Sequence, residues 1–140
     1  MDKPNLGVIL FKGYLVDEIT YKRNENYAGQ EVDIDLGLEY NIKFSEDKQT
    51  MNARLKLTIF EDYIENNYPF GMDLTLTGRF EINPDENSDL EKYHANALAI
   101  LYPYARAIVS TYTASANINP LQLPTINVNK YLQDATLEIE

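Results

Sequence analysis

The 140 residues contain no cysteine, so the chain has no disulfide framework, no thiolate nucleophile and no thiolate ligand for a metal. Its one histidine, His94, excludes a cluster of two histidines and a carboxylate, and a Ser-His-Asp triad would have to be built on that single residue. Glycine-rich phosphate loops of the Walker type, G-x-S-x-G and H-E-x-x-H are also missing, which leaves nucleotide hydrolysis, acyl transfer and zinc proteolysis without machinery. No apolar stretch reaches the roughly 18 residues of a membrane-spanning helix. Met1-Asp2-Lys3-Pro4-Asn5 has neither the apolar run nor the small-residue cleavage site of a signal peptide. These absences predict a cytoplasmic protein that is not an enzyme, needs no cofactor or metal and does not insert into a membrane.

What is present is a globular composition, with 44% hydrophobic and 24% charged residues, rich enough in apolar side chains to fold. A net charge of -10 and a pI near 4.5 repel phosphate backbones and attract basic partners, so nucleic acid is not an expected ligand. The length suits one compact domain, residues 1–140, and any larger architecture has to come from oligomerisation.

Strict alternation runs from Val32 to Phe44, where Val32, Ile34, Leu36, Leu38, Tyr40, Ile42 and Phe44 are separated by polar residues or glycine. That is the pattern of a strand buried on one face. Ser45 to Gln49 breaks it, and Ala53, Leu55, Leu57 and Ile59 alternate again, which predicts an antiparallel return. A third alternating run follows Pro69 through Phe70, Met72, Leu74, Leu76, Phe80 and Ile82, with Gly78 marking a bulge or a close backbone approach. Leu6 to Lys22 is less regular and, with Lys12 and Gly13 in its middle, predicts a bent or bulged first strand.

The period then changes. Pro84 to Asp89 supplies helix caps and first-turn acids, and Leu90, Tyr93, Ala97, Leu101, Tyr104, Ala105, Ile108 and Tyr112 follow at helical spacing. A second row, Leu98, Tyr102 and Val109, widens the stripe enough to suggest contact with the sheet and with another copy of the chain. Pro103 lies inside this helix and is expected to bend it near Ala99 to Pro103. The expected order is therefore α+β: four antiparallel strands over residues 6–83, a long helix over 86–116, an extended connector over 117–127 and a short helix over 128–136, with Glu138-Ile139-Glu140 frayed.

Three motifs invite a sharper reading and do not sustain it. Asp85, Asn87 and Asp89 open like a calcium loop, but Leu90 stands where the turn glycine is needed and Asn96 where the bidentate glutamate belongs. Asp33 and Asp35 share a face as a glycosidase pair would, yet that face is the solvated side of a strand. His94 reads as an ordinary helix residue.

Ile100-Leu101-Tyr102-Pro103-Tyr104-Ala105-Arg106, followed by Leu121-Gln122-Leu123 and Ile126-Asn127-Val128, resembles the SecB protein-export chaperone family. The likeness extends to Glu31-Val32-Asp33-Ile34-Asp35-Leu36, to Asp17-Glu18-Ile19-Thr20-Tyr21 and to Gly78-Arg79-Phe80. It implies a four-stranded antiparallel sheet backed by a long and a short helix, assembled as a homodimer or homotetramer. The implied function is that of an ATP-independent holdase, which keeps unfolded or precursor polypeptides in apolar grooves for export and hands them to the SecA motor.

Under that resemblance the client-binding candidates are Val32, Ile34 and Leu36 of the second strand and Ile118, Leu121 and Leu123 of the connector. Tyr112, Tyr131 and Leu132 join them on their apolar spacing. Tyr102, Pro103, Tyr104 and Arg106 are expected to shape the long helix and the oligomer rather than to touch clients. Glu18 and Asp73 match acidic positions of the family's motor-docking surface, whereas Lys22 replaces an acidic residue there and Gly71 an exposed leucine. This partial match leaves room for two other roles: a dedicated chaperone of one partner, such as an antitoxin, and an adaptor on the same fold without grooves.

Overall fold

The computed structural model describes residues 8–83, 90–116, 121–126 and 138–139. Four antiparallel strands, β1 (Val8–Arg23), β2 (Leu36–Phe44), β3 (Thr50–Ile59) and β4 (Phe70–Asn83), precede one long helix, α1 (Leu90–Ser115). A two-residue strand, β5 (Glu138–Ile139), completes a sheet of order β1-β4-β3-β2-β5. The short helix expected over 128–136 lies outside the described residues.

The register confirms the alternation. Leu38 faces Leu57, Tyr40 faces Leu55 and Ile42 faces Ala53, while Leu55 faces Leu76 and Leu57 faces Leu74. One face of the sheet is therefore a continuous apolar floor, and α1 lies on it through Tyr93, Ala97, Leu101, Ala105 and Val109, all buried. Close approach is possible because Gly78 has no side chain: a Cβ there would lie 2.6 Å from Leu101 Cδ2. The bulges fall instead in β1, where register shifts occur between Phe11 and Gly13 and between Val16 and Glu18. Lys12 and Asp17, the inserted residues, lie 3.9 Å from Glu81 and 3.8 Å from Arg54.

Several expectations change. The second strand begins at Leu36, not Val32, because its last partner is Ile59. Beyond that pair β3 turns away: Phe60 takes a left-handed φ of 60° and its amide donates to the Asp35 carbonyl at 2.9 Å. Alternation alone cannot hold Val32 to Asp35 in a strand once no neighbour is left to pair with. The left-handed backbone costs Phe60 about 1–2 kcal/mol, offset by burying its ring against Tyr68 and Phe70, 4.7 and 5.1 Å away.

Glu138 and Ile139, expected to fray, pair in parallel with Asn41 and Ile42. On α1 both rows turn inward, Tyr93, Ala97, Leu101 and Ala105 of the first and Leu98, Tyr102 and Val109 of the second, while Tyr104 and Tyr112 of the first remain exposed at its margin. The helix runs through Pro103 without interruption, with the proline on its exposed side. His94 is a core residue, with ring centroids 6.1 Å from Tyr40 and 6.2 Å from Phe44.

Candidate functional site

The segment 121–126 forms no helix or strand, yet its backbone is tied to α1 by three side chains. Tyr102 Oη donates to the Pro124 carbonyl at 2.6 Å and Arg106 Nε to the Leu123 carbonyl at 3.0 Å. Thr113 Oγ1 accepts from the Leu121 amide at 2.8 Å and is itself directed at the Val109 carbonyl, 2.9 Å away. Irregular backbone can lie against an apolar surface only if its polar groups are paired in this way. The result is that Leu123 is fully buried while Leu121 and Ile126 are half-buried against the core.

Burial pushes the Tyr102 phenol above its usual range, opposed in part by the Arg106 guanidinium. The Tyr21 phenol is raised for the same first reason, against the pull of Arg23.

A second set of incompletely covered apolar side chains lies at the β2 edge, where Val32, Leu36, Leu38 and Phe44 pack on the core without being enclosed by it. Ile34 is more than a third exposed. A third set lies between α1 and β1. There a depression of about 330 Å³ is lined by Tyr14, Tyr104, Ile108 and Tyr112, among others. The rings of Tyr14 and Tyr104 are 4.9 Å apart, and those of Tyr21 and Tyr112 are 5.7 Å apart.

The predicted residues are thus distributed over separate surfaces. Val32, Ile34 and Leu36 are at the β2 margin, Leu121 and Leu123 are on the connector, and Tyr112 shares the β1 side of the helix with Tyr104. Tyr102 and Arg106 serve the connector, and Pro103 is exposed. Ile118, Tyr131 and Leu132 lie outside the described residues.

Glu18 and Asp73 are on the opposite, polar face of the sheet, where Glu18 faces Thr75 and Thr20 faces Asp73. Lys22 and Gly71 are the next pair along. The ring of Tyr63 lies over Gly71 so closely that a Cβ would be 2.4 Å from its Cδ1. An aromatic ring from the β3–β4 connection therefore covers the place where a side chain of β4 would stand.

Sequence reasoning missed Thr113, Leu38 and Ile126. Leu38 carried the same alternation as Leu36 and could have been included. Thr113 had no signal, because its role depends on a segment meeting the helix from eight residues further along the chain. Among the described residues no cluster of three or more His, Asp or Glu is placed to hold a metal, and no helix is long and apolar enough to cross a membrane.

Comparison with known proteins gives concordant matches. The family described as "Preprotein translocase subunit SecB" matches residues 20–138. The uncharacterized protein MJ0357 of Methanocaldococcus jannaschii is 31% identical over 134 residues, 91% of this chain and 84% of that protein. The protein-export protein SecB of Dichelobacter nodosus is 28% identical over 103 residues, 72% of this chain and 66% of that one. Among solved structures, the Mycobacterium tuberculosis SecB-like chaperone Rv1957, in complex with a ChAD peptide from the Rv1956 HigA1 antitoxin, superposes with a TM-score of 0.66 at 18% identity. The superposition covers 85% of this chain and 88% of that chain.

Proposed function

The chain belongs to the SecB family, and from that premise we propose that it is an ATP-independent holdase that keeps unfolded polypeptides in apolar grooves for export. One observation carries this reading: Val32, Leu36, Leu38, Leu121 and Ile126 are half-buried extensions of the core, apolar side chains with one side still available. Each large client side chain buried on such a surface contributes about 1.5–3 kcal/mol, whatever the client sequence. Several grooves on one oligomer would multiply this through effective concentration. No bond is made or broken, and the family's activity is not catalytic.

The client set is proposed as Val32, Ile34, Leu36, Leu121, Leu123 and Tyr112, together with Ile118, Tyr131 and Leu132. Buried Leu123 contributes by anchoring the connector. Assembly as a homodimer or homotetramer in the cytosol is part of the proposal. It is supported by exposed Leu10, Leu15 and Val16 on the outermost strand β1 and by exposed Tyr104 on α1. Glu18 and Asp73 are proposed to retain part of a motor-docking surface for SecA.

A second reading, a dedicated chaperone of one partner such as an antitoxin, is favoured by the fold shared with Rv1957, whose structure holds an antitoxin peptide. Native mass measured alone and with a denatured polypeptide decides between these and a third possibility. A dimer or tetramer that retains many denatured chains, and no native ones, is the result expected of a general holdase. Retention of a single partner's segment would replace it with the dedicated role, and retention of none would leave an adaptor.

A further inference from the structure

The polar face of the sheet, opposite α1, is hollowed at its centre. Two outward rows cross the strands in register there: Glu39 of β2, Lys56 of β3, Thr75 of β4 and Glu18 of β1 in one, and Asn41, Arg54 and Thr77 in the next. All of them line a depression of about 870 Å³. Thr75 is its deepest side chain, only 9% exposed although it points away from the core, between the inward and fully buried Leu74 and Leu76. Among the described residues its hydroxyl has no hydrogen-bond partner. A polar group so enclosed is normally paired, so this one is left for whatever fills the depression.

The charges around Thr75 are ordered. Lys56 and Arg54 stand on the central strand, while Glu39 stands on the β2 side and Asp17 and Glu18 on the β1 side. Asp17 is already engaged: it accepts from Thr77 Oγ1 and lies 3.8 Å from Arg54 Nε, whose side chain nevertheless remains 63% exposed. Lys56 has no ion pair among the described residues. A chain of net charge -10 thus keeps two cations and an unpaired hydroxyl at the middle of one face, with carboxylates only at the sides.

We propose that this depression docks a polypeptide segment presenting a single carboxylate, a Glu or Asp flanked by neutral or basic residues, whose oxygens receive the Lys56 ammonium, the Arg54 guanidinium and the Thr75 hydroxyl. The inference goes beyond the chaperone reading and does not depend on it. A carboxylate is the side chain that accepts from several donors at once, and its bonds to cations are the strong ones. Glu39 and Glu18 set the rest of the pattern, since they repel a polyanion and attract a basic residue beside the central acid. The partner is therefore not an acid-rich tract or a nucleic acid. The depression spans three strands, which leaves room for the residues on either side of the carboxylate.

The test is an NMR titration of the full chain with the end-blocked peptide Lys-Ser-Glu-Ser-Lys, with the same peptide carrying Gln at its centre, and with inorganic phosphate. The Glu peptide should shift the amides of Arg54, Lys56 and Thr75, and the Gln peptide should bind roughly tenfold more weakly, the loss expected of one charge-assisted hydrogen bond. Lys56→Gln should weaken the Glu peptide by a similar factor. Thr75→Val should weaken it severalfold without lowering the urea midpoint, because the hydroxyl leaves no protein group unpaired when it is removed. Shifts that are absent or lie elsewhere, or equal binding of the Glu and Gln peptides, overturn the proposal. Phosphate shifting the same amides at the same concentration also overturns it, by making the depression a general anion site. A lowered midpoint in Thr75→Val gives the hydroxyl a structural role and removes it from the site.

Discussion

Arg106 holds the Leu123 carbonyl from Nε at 3.0 Å, and through that bond a residue in the middle of α1 fixes the path of a connector 17 residues further along. Tyr102, one turn earlier, holds the next carbonyl. The most distinctive stretch of the sequence, Tyr102 to Arg106, is thus explained by two clamps on a segment that carries groove candidates.

Replacing Arg106 by Ala leaves the Leu123 carbonyl to find another donor. Stability should fall by about 1.5–3 kcal/mol, the range for hydrogen bonds to charged groups. Client binding should weaken along with it. Arg106→Lys should restore little, since a flexible ammonium does not reproduce the planar guanidinium fork. Urea unfolding and a client titration on both variants check this.

Gly78→Ala forces a methyl group into the space of Leu101 and Phe80. Overpacking of this kind costs about 1–3 kcal/mol. Leu101→Ala alone should cost about 2–5 kcal/mol through the cavity it leaves. The double variant should be more stable than the sum of the two losses implies, and a double-mutant cycle of denaturation midpoints measures the difference.

The raised Tyr102 phenol gives the stability a signed pH dependence. A phenol that holds its proton more tightly folded than unfolded makes its full contribution below the ordinary value of about 10. That contribution is lost as pH rises toward the higher folded value, because the unfolded chain then binds fewer protons than the native one. Between pH 9 and 11 the urea midpoint should fall more steeply for the parent chain than for Tyr102→Phe, which has no proton to lose.

Asn24 is buried, donates through Nδ2 to the Tyr68 carbonyl at 2.9 Å and accepts from the Asn26 amide at 3.0 Å. It joins the chain leaving β1 to the connection between β3 and β4. Asn24→Ala takes its side-chain donor from the partly buried Tyr68 carbonyl and should cost about 1–3 kcal/mol. Amide exchange should accelerate at Tyr27 and Tyr68, with the centres of β3 and β4 unaffected.

Much of this fold was written in local periodicity. The alternation through Leu36 to Phe44, Ala53 to Ile59 and Phe70 to Ile82 places side chains on one face whatever lies beyond. The helical rows from Tyr93 to Val109 work in the same way. What could not be read was anything that depended on a partner distant in sequence. Val32 and Ile34 continue the alternation perfectly yet lie outside the strand, and Tyr104 and Tyr112 keep helical spacing but lie at its exposed margin.

The candidate site was legible in part, for Leu36, Leu121 and Arg106 were all singled out. Their division among a strand edge, a connector and a clamp was not, nor was the Tyr63 ring that covers Gly71 on the outer face.

By itself, then, the sequence determined which residues turn inward on each element and the family to which the elements belong, because periodicity and motif are properties of neighbours along the chain. Only the tertiary structure decided where β2 stops, that Tyr104 and Tyr112 stay at the helix margin, that Leu101 rests on Gly78 and that Arg106 holds Leu123. Each of those depends on a hydrogen-bond partner or an opposing surface that exists only once remote segments have been brought together.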